Sequence, residues 1–350
     1  MAKKILLATV FLFVLSGFTA FAADLTQLVP ETAAFIFSIN MGKIVSSESV
    51  KKQIDDGLAK QTPDQKKVFD EFVQKTGIDP FKHLKEIVVF LSAKDPKAEK
   101  QEGGVLINGT FEVAKILDAI KNDEKAKQDV IVDKLDGLDV IKGKKETDMM
   151  GLFLDGNTGV VGANASVKAV IDVKNAKAKN ITTNAAFANL LKKVDTSASV
   201  WGAGLIPQTI KDKLAEQAKN NPQTGPLAAL NAIFFSFNFE TDLIVNVTGE
   251  VDKKESMEAL MTSVNGFLAM LKMLAGPTPE AVEILNMIKV EGADTAAKIT
   301  LNVPKAKLDE VKKKIEERMK AGPGAPPSTP VVPAPSTPEP TQTPVPDQGK

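Results

Sequence analysis

Few side chains in this sequence are equipped to do chemistry, and the rarest is His83, the one histidine of the chain. It lies in Asp79-Pro-Phe-Lys-His-Leu84, just before a strand-like run. A general base there needs a nucleophile such as Ser and an orienting carboxylate. Neither a G-x-S-x-G elbow nor an S-x-x-K motif accompanies it, so a surface or capping role is the simpler reading. Asp155-Gly-Asn-Thr-Gly159 has the outline of a calcium loop. An EF-hand, however, wants oxygen ligands at positions 1, 3, 5 and 12 and Gly at 6. Position 5 here is Gly159 and position 12 is Ser166, so a hairpin turn explains the segment better. Gly143-Lys144-Lys145 lacks the glycine-rich loop and trailing Ser/Thr of a phosphate cradle. The carboxylates are spread among lysines, and no spacing nominates a glycosidase-type acid pair.

Composition narrows the chemistry further. The chain has no Cys and no Tyr, one Trp (Trp201) and one Arg (Arg318), so its positive charge is almost entirely Lys. Lack of Cys removes disulfides, thiolate metal sites and Cys nucleophiles together. One His cannot supply a polyhistidine zinc site. Arg318 falls in a solvated last helix, which leaves no bidentate fork for a phosphate or carboxylate substrate. Basic and acidic residues balance at 44 each, and no basic block marks a nucleic-acid footprint. The sequence therefore predicts no catalytic residue, no cofactor site and no metal ligand.

One segment stands out, the helix expected over residues 255–275. Met257, Leu260, Met261, Val264, Phe267, Leu268, Leu271 and Leu274 form a wide apolar stripe, which Met270 and Met273 extend. Glu258, Asn265 and Lys272 argue against a membrane span. Met side chains adapt to varied surfaces, so Met257, Met261, Val264, Leu268 and Met270 are the candidate lining of a groove for lipid tails or unfolded chains. The competing reading is a core helix between its sheet and a helix at 279–287.

The elements that must position these residues alternate short strands with helices. Apolar runs at 35–40, 104–108, 159–162, 243–248 and 296–302 each lead into a helical pattern. Asp136-Gly137 and Asp155-Gly156-Asn157 signal hairpins. This predicts an α+β fold, with antiparallel sheets covered by helices on one face. Its length suits two related domains, residues 23–196 and 197–321. Ala34–Asn40 echoes Ala232–Asn238, a hint of duplication. Asn220–Pro226 reads as an exposed loop.

Both ends are distinct. Residues 1–22 read as a cleavable export signal: Lys3 and Lys4, an apolar stretch from Ile5 to Phe18, then Ala20-Phe21-Ala22 before Ala23. Residues 322–350 hold ten of the twenty prolines, and such a composition predicts a disordered Pro-rich tail, either a spacer or a protein-binding segment. The opening Leu28–Asn40 and the strand Ala198–Gly204 are similar to a loose group of exported bacterial proteins of unknown function. That resemblance implies export and duplicated α+β domains, and it transfers no catalytic residue. The expected function is that of a non-enzymatic exported protein, periplasmic or extracellular. It would bind or scaffold another envelope protein or an apolar ligand, with no nucleic acid and no transmembrane span in the mature chain. A carrier or chaperone of apolar ligands using helix 255–275 is the first alternative, and a hydrolase the second.

Overall fold

In the computed structural model, residues 24–92, 102–145, 147–276 and 278–321 are described; the signal segment 1–22 and the Pro-rich segment 322–350 lie outside them. The chain divides into two units at Leu308/Asp309. The second unit carries the end of a helix, laced by Lys314–Glu310 (2.5 Å) and Lys313–Glu317 (3.9 Å) ion pairs one turn apart.

The first unit begins with a 3-10 turn, Leu25–Leu28, capped by Asp24. Strand β1 (Ala33–Asn40) follows, then helices α1 (Met41–Ser46), α2 (Glu48–Ala59), α3 (Pro63–Thr76) and α4 (Pro80–His83). Next come β2 (Leu84–Ser92), β3 (Gly103–Gly109), α5 (Val113–Asn122), α6 (Glu124–Asp129) and the hairpin β4 (Val130–Leu135) and β5 (Leu138–Gly143). Asp136 and Gly137 both have positive φ, 49° and 82°, which the tight turn between β4 and β5 requires. Strands β6 (Met149–Phe153) and β7 (Thr158–Ala163) lead to α7 (Asn164–Lys174), and α8 (Ala185–Leu191) links to the second half. That half runs β8 (Val200–Leu205), α9 (Gln208–Ala218), a 3-10 helix Pro222–Ala229, β9 (Leu230–Asn238) and β10 (Leu243–Val251). It ends with α10 (Lys254–Leu274), α11 (Pro279–Asn286), β11 (Lys289–Ala293), β12 (Ala296–Val303) and the start of α12 (Lys305–Ala321).

Among the described residues, all twelve strands join one antiparallel sheet in the order β11-β12-β10-β9-β8-β1-β2-β3-β7-β6-β5-β4. Segments 23–196 and 197–321 thus share a sheet where the sequence suggests separate ones. They meet where β1 pairs with β8, Phe37 standing opposite Gly202. Outward from that seam the two halves repeat one plan. β1-β2-β3-β7-β6 on one side mirrors β8-β9-β10-β12-β11 on the other, and the β4–β5 hairpin is added at the far edge of the first half.

The equivalence extends to local detail. Val29-x-x-Thr32-Ala33 before β1 matches Val194-x-x-Ser197-Ala198 before β8. The same backbone bond closes each turn, Ala33 N–H to Pro30 C=O at 3.0 Å and Ala198 N–H to Asp195 C=O at 3.2 Å. The counterpart of β1 is therefore β8. The sequence echo between Ala34–Asn40 and Ala232–Asn238 matches β1 to β9, strands with different places in the plan.

Helices lie on both faces of the sheet, not on one. Alternate residues of a strand point to opposite faces, and in the central strands both sets contain apolar side chains, with Ser38 and Ser236 among those of one face. One face buries Ile36, Val88, Phe90, Leu106, Val160 and Trp201 against Val167, Val170 and Ile171 of α7 and Phe187 and Leu190 of α8. The other face carries two smaller cores. Ile87 and Ile107 pack with Met41, Ile78 and Ile116 in the first half, and Val251 and Ala297 pack with Met257 and Leu260 in the second. The expected loop at 220–226 instead forms most of the 3-10 helix whose Leu227 and Ala229 complete this last core.

Trp201, 3% exposed beside the seam, makes the shared sheet testable. Thermal or urea unfolding followed by its fluorescence and by far-UV circular dichroism should give one coincident transition. Two separated transitions would mean that the halves melt independently.

Candidate functional site

A single register row runs across the whole sheet without a polar side chain. It passes through Val132, Ile141, Gly151, Val161, Val105, Val89, Phe37, Gly202, Phe235, Val247, Ile299 and Val290, one residue from every strand. The rows beside it are similar near the seam: Ile39, Val200, Phe237, Val245 and Leu301 on one side, Phe35, Gly204 and Ile233 on the other. Every side chain of the long row is half-buried, and only Gly202 is fully buried. One residue along, on the opposite face, Val88, Leu106, Val140, Val160 and Trp201 are all nearly inaccessible. Both faces carry apolar side chains here, the opposite one with Ser38 and Ser236 in the same row, and they are unequally covered.

The cover on this face is split. Helices α1, α3 and α5 lie over the flank formed by β2 and β3, and α10 with the Pro222–Ala229 helix lies over β10, β11 and β12. Between them, Phe35 and Phe37 of β1 and Phe235 and Phe237 of β9 belong to none of the three cores. Their rings form a continuous cluster, with centroids 6.4 Å apart for Phe35–Phe235, 6.0 Å for Phe37–Phe235 and 5.2 Å for Phe235–Phe237. The glycines of β8 make this possible. A Cβ on Gly202 would sit 2.5 Å from the ring of Phe235, and one on Gly204 would strike the ring of Phe35. Leu91, 41% exposed, continues the floor on β2. The arrangement offers aromatic and aliphatic surface with no polar atom of a side chain on it, which suits capture of an apolar group.

The residues singled out from sequence separate into two groups. Met257 is 6% exposed and, with the half-buried Met261 and Val264, belongs to the core against Leu230 and Val251. Leu268 is half-buried, whereas Met270 is 40% exposed. They do not line one groove. Phe35, Phe37, Phe235 and Phe237 were not legible as site residues because alternating Phe in a strand looks like ordinary core. Their signal is that one parity of β1 and β9 is apolar from Phe35 to Ile39 and from Ile233 to Phe237, whereas the other parity includes Ser38, Asn40, Ser236 and Asn238.

Other candidates resolve into structure. His83 Nδ1 accepts the Asp79 N–H at 2.9 Å, and the His83 carbonyl accepts the Thr110 N–H at 2.8 Å, so His83 ties α4 to the end of β3. Asp155 accepts the Asn157 N–H at 2.8 Å, and Thr158 C=O accepts from Leu154, as a hairpin turn requires. A charged cleft of about 640 Å³ lies among Lys75, Lys115, Asp118, Asn122 and Asp123. Its Asp123 caps α6 through Lys125 and Ala126 N–H and meets Lys75 at 2.7 Å. The Lys75 ammonium and the two amides hold the Asp123 carboxyl down to about 2, a capping arrangement complete without a ligand. Among the described residues, no group of three His, Asp or Glu is placed to hold a metal ion, and no helix is long and apolar enough to cross a membrane.

The covered face also carries polar groups, Ser38, Ser236 and Asn246 among them. A register row at its end reads Asn238, Ser199, Asn40, Glu86, Asn108 and Thr158 across six strands. Ser199 Oγ bonds Asn238 Oδ1 at 2.9 Å, and Ser38 Oγ donates to Glu86 Oε1 at 2.7 Å. Asn108 Oδ1, opposite Glu86, finds no hydrogen-bond partner. Burial pushes the Glu86 carboxyl above its ordinary range; the bond from Ser38 opposes the rise and the nearby charge of Asp24 adds to it. No family model matches the chain, and no curated protein does.

Two expectations follow from these surroundings. A folded-state pKa raised above the unfolded value gives Glu86 a stabilising effect that is present at low pH and lost as pH rises through the folded pKa. Glu86→Gln should therefore melt higher than the parent at pH 7, and the gap should close below about pH 4; a gap independent of pH would refute the burial argument. Met261→Asp, which puts a charge against the core of the second half, should abolish cooperative folding or cost several kcal/mol, at least about 3, as read by urea denaturation.

Proposed function

We propose that this is a non-enzymatic exported binding protein of the bacterial envelope that holds an extended apolar ligand, such as the acyl chain of a lipid, on its open sheet face. The observation that carries the reading is the half-buried four-phenylalanine floor between two helical covers. Peptide backbone laid on that floor would leave N–H and C=O groups against rings and aliphatic side chains, at a cost of a lost hydrogen bond each. A hydrocarbon chain has no such groups, and its burial is favourable by roughly 0.8 kcal/mol per CH₂. The export signal read in residues 1–22, with the similarity of Leu28–Asn40 and Ala198–Gly204 to exported bacterial proteins, supports a periplasmic or extracellular site of action. The commitment of His83 to backbone bonds supports binding over hydrolysis. The tail from Gly322 then serves as a spacer.

Titration of the mature protein with a fluorescent fatty acid decides the matter. The parent should bind it saturably, and the double variant Phe37→Thr/Phe235→Thr should bind roughly 10- to 100-fold more weakly, at about 1.4 kcal/mol per tenfold. The variant should keep a single cooperative melting transition, lowered because two half-buried rings are removed, so that lost binding is distinguishable from lost folding. Absence of binding in the parent, or equal binding in the variant, would overturn the assignment.

A further inference from the structure

The last turns of α10 carry a second apolar surface, separate from the floor. Phe267 is 57% exposed, Met270 40%, Met273 73% and Leu274 66%. Phe267, Met270 and Leu274 follow helical spacing, so one stripe of the helix presents them together. The first half of the same helix, through Met257 and Leu260, is anchored in the core, so the exposed end is held out on a fixed base. From Ala259 to Pro279 the chain contains no Asp or Glu, and its one charge is Lys272.

We propose that this end of α10 is a membrane-docking tip, and that its partner is an anionic lipid surface. The four side chains expose roughly 400 Å², about half of the ~800 Å² per partner that a standard protein interface buries. That area is too small to hold a second copy of the chain, but it suits shallow insertion into the headgroup zone, where no reciprocal surface is needed. The absence of carboxylates removes repulsion from anionic headgroups, and Lys272 adds attraction. Phe, Met and Leu enter the acyl boundary, and the flexible Met side chains adapt to its disorder. This inference does not depend on the ligand assigned to the sheet floor.

Flotation of the full mature protein with vesicles of phosphatidylethanolamine and phosphatidylglycerol tests it. The parent should float. The double variant Phe267→Asp/Met273→Asp should lose flotation by about tenfold or more with an unchanged melting temperature, because both side chains already face water. The floor variant Phe37→Thr/Phe235→Thr should float like the parent, which separates this proposal from the binding of an apolar ligand. A parent that stays unbound, or a tip variant that floats equally well, would overturn it. So would a parent dimer that the tip substitutions convert to monomer without any vesicle binding.

Discussion

The pairing of β1 with β8 is the constraint on which the remainder of the sheet depends. Side chains alternate with a period of two, so a slip of one residue in this pair would turn every position of one half to the other face. Phe37 opposite Gly202 sets the parity. Ile36 and Trp201 then both point to the face where α7 and α8 pack, and Phe37 and Phe235 both point to the open one. The turn before each strand, closed by the Ala33 and Ala198 amides, delivers the two strands in the same way. In this register Ile36, Val88, Leu106, Val160 and Trp201 are all buried on the covered face.

Uneven cover of the two faces is what gives the molecule a candidate site. On the covered face the helices supply Val167, Val170, Ile171, Phe187 and Leu190, and the strands beneath them are sealed. On the open face the helices stop at the flanks, because α1, α3 and α5 serve one core and α10 another. The floor between them is assembled from strands far apart in the chain. Its glycines are as necessary as its rings, since side chains at Gly202 and Gly204 would displace Phe235 and Phe35.

Much of the fold was legible in the sequence. Period-two runs located most strands, Asp136-Gly137 located a hairpin, and the apolar stripe located α10. Helix α3 was missed although its capping box, Thr62 with Gln65 around Pro63, is a readable start signal. Strand β11 escaped because Lys289 and Glu291 on an exposed edge do not alternate with enough apolar residues to look like a strand. The candidate site was not legible, for a different reason. Phe35 and Phe237 are ordinary strand residues until their neighbours are known, and exposure is a property of what fails to pack above them. In α10, Met257 and Met261 serve the core, and the exposed surface lies further along, from Phe267 to Leu274.

The position of Phe37 and Gly202 has a consequence for symmetry. They face each other where the two halves meet, and each is the topological equivalent of the other. In a dimer of identical chains, whatever occupies such an axis must pair with its own copy, so two rings or two glycines would have to meet there. A single chain carrying both halves is released from that rule. Here one copy keeps the ring, the other gives up its side chain, and Phe235 fills the vacated space. The centre of the open face can thus be lopsided, with a shape that no assembly of equal subunits is able to make.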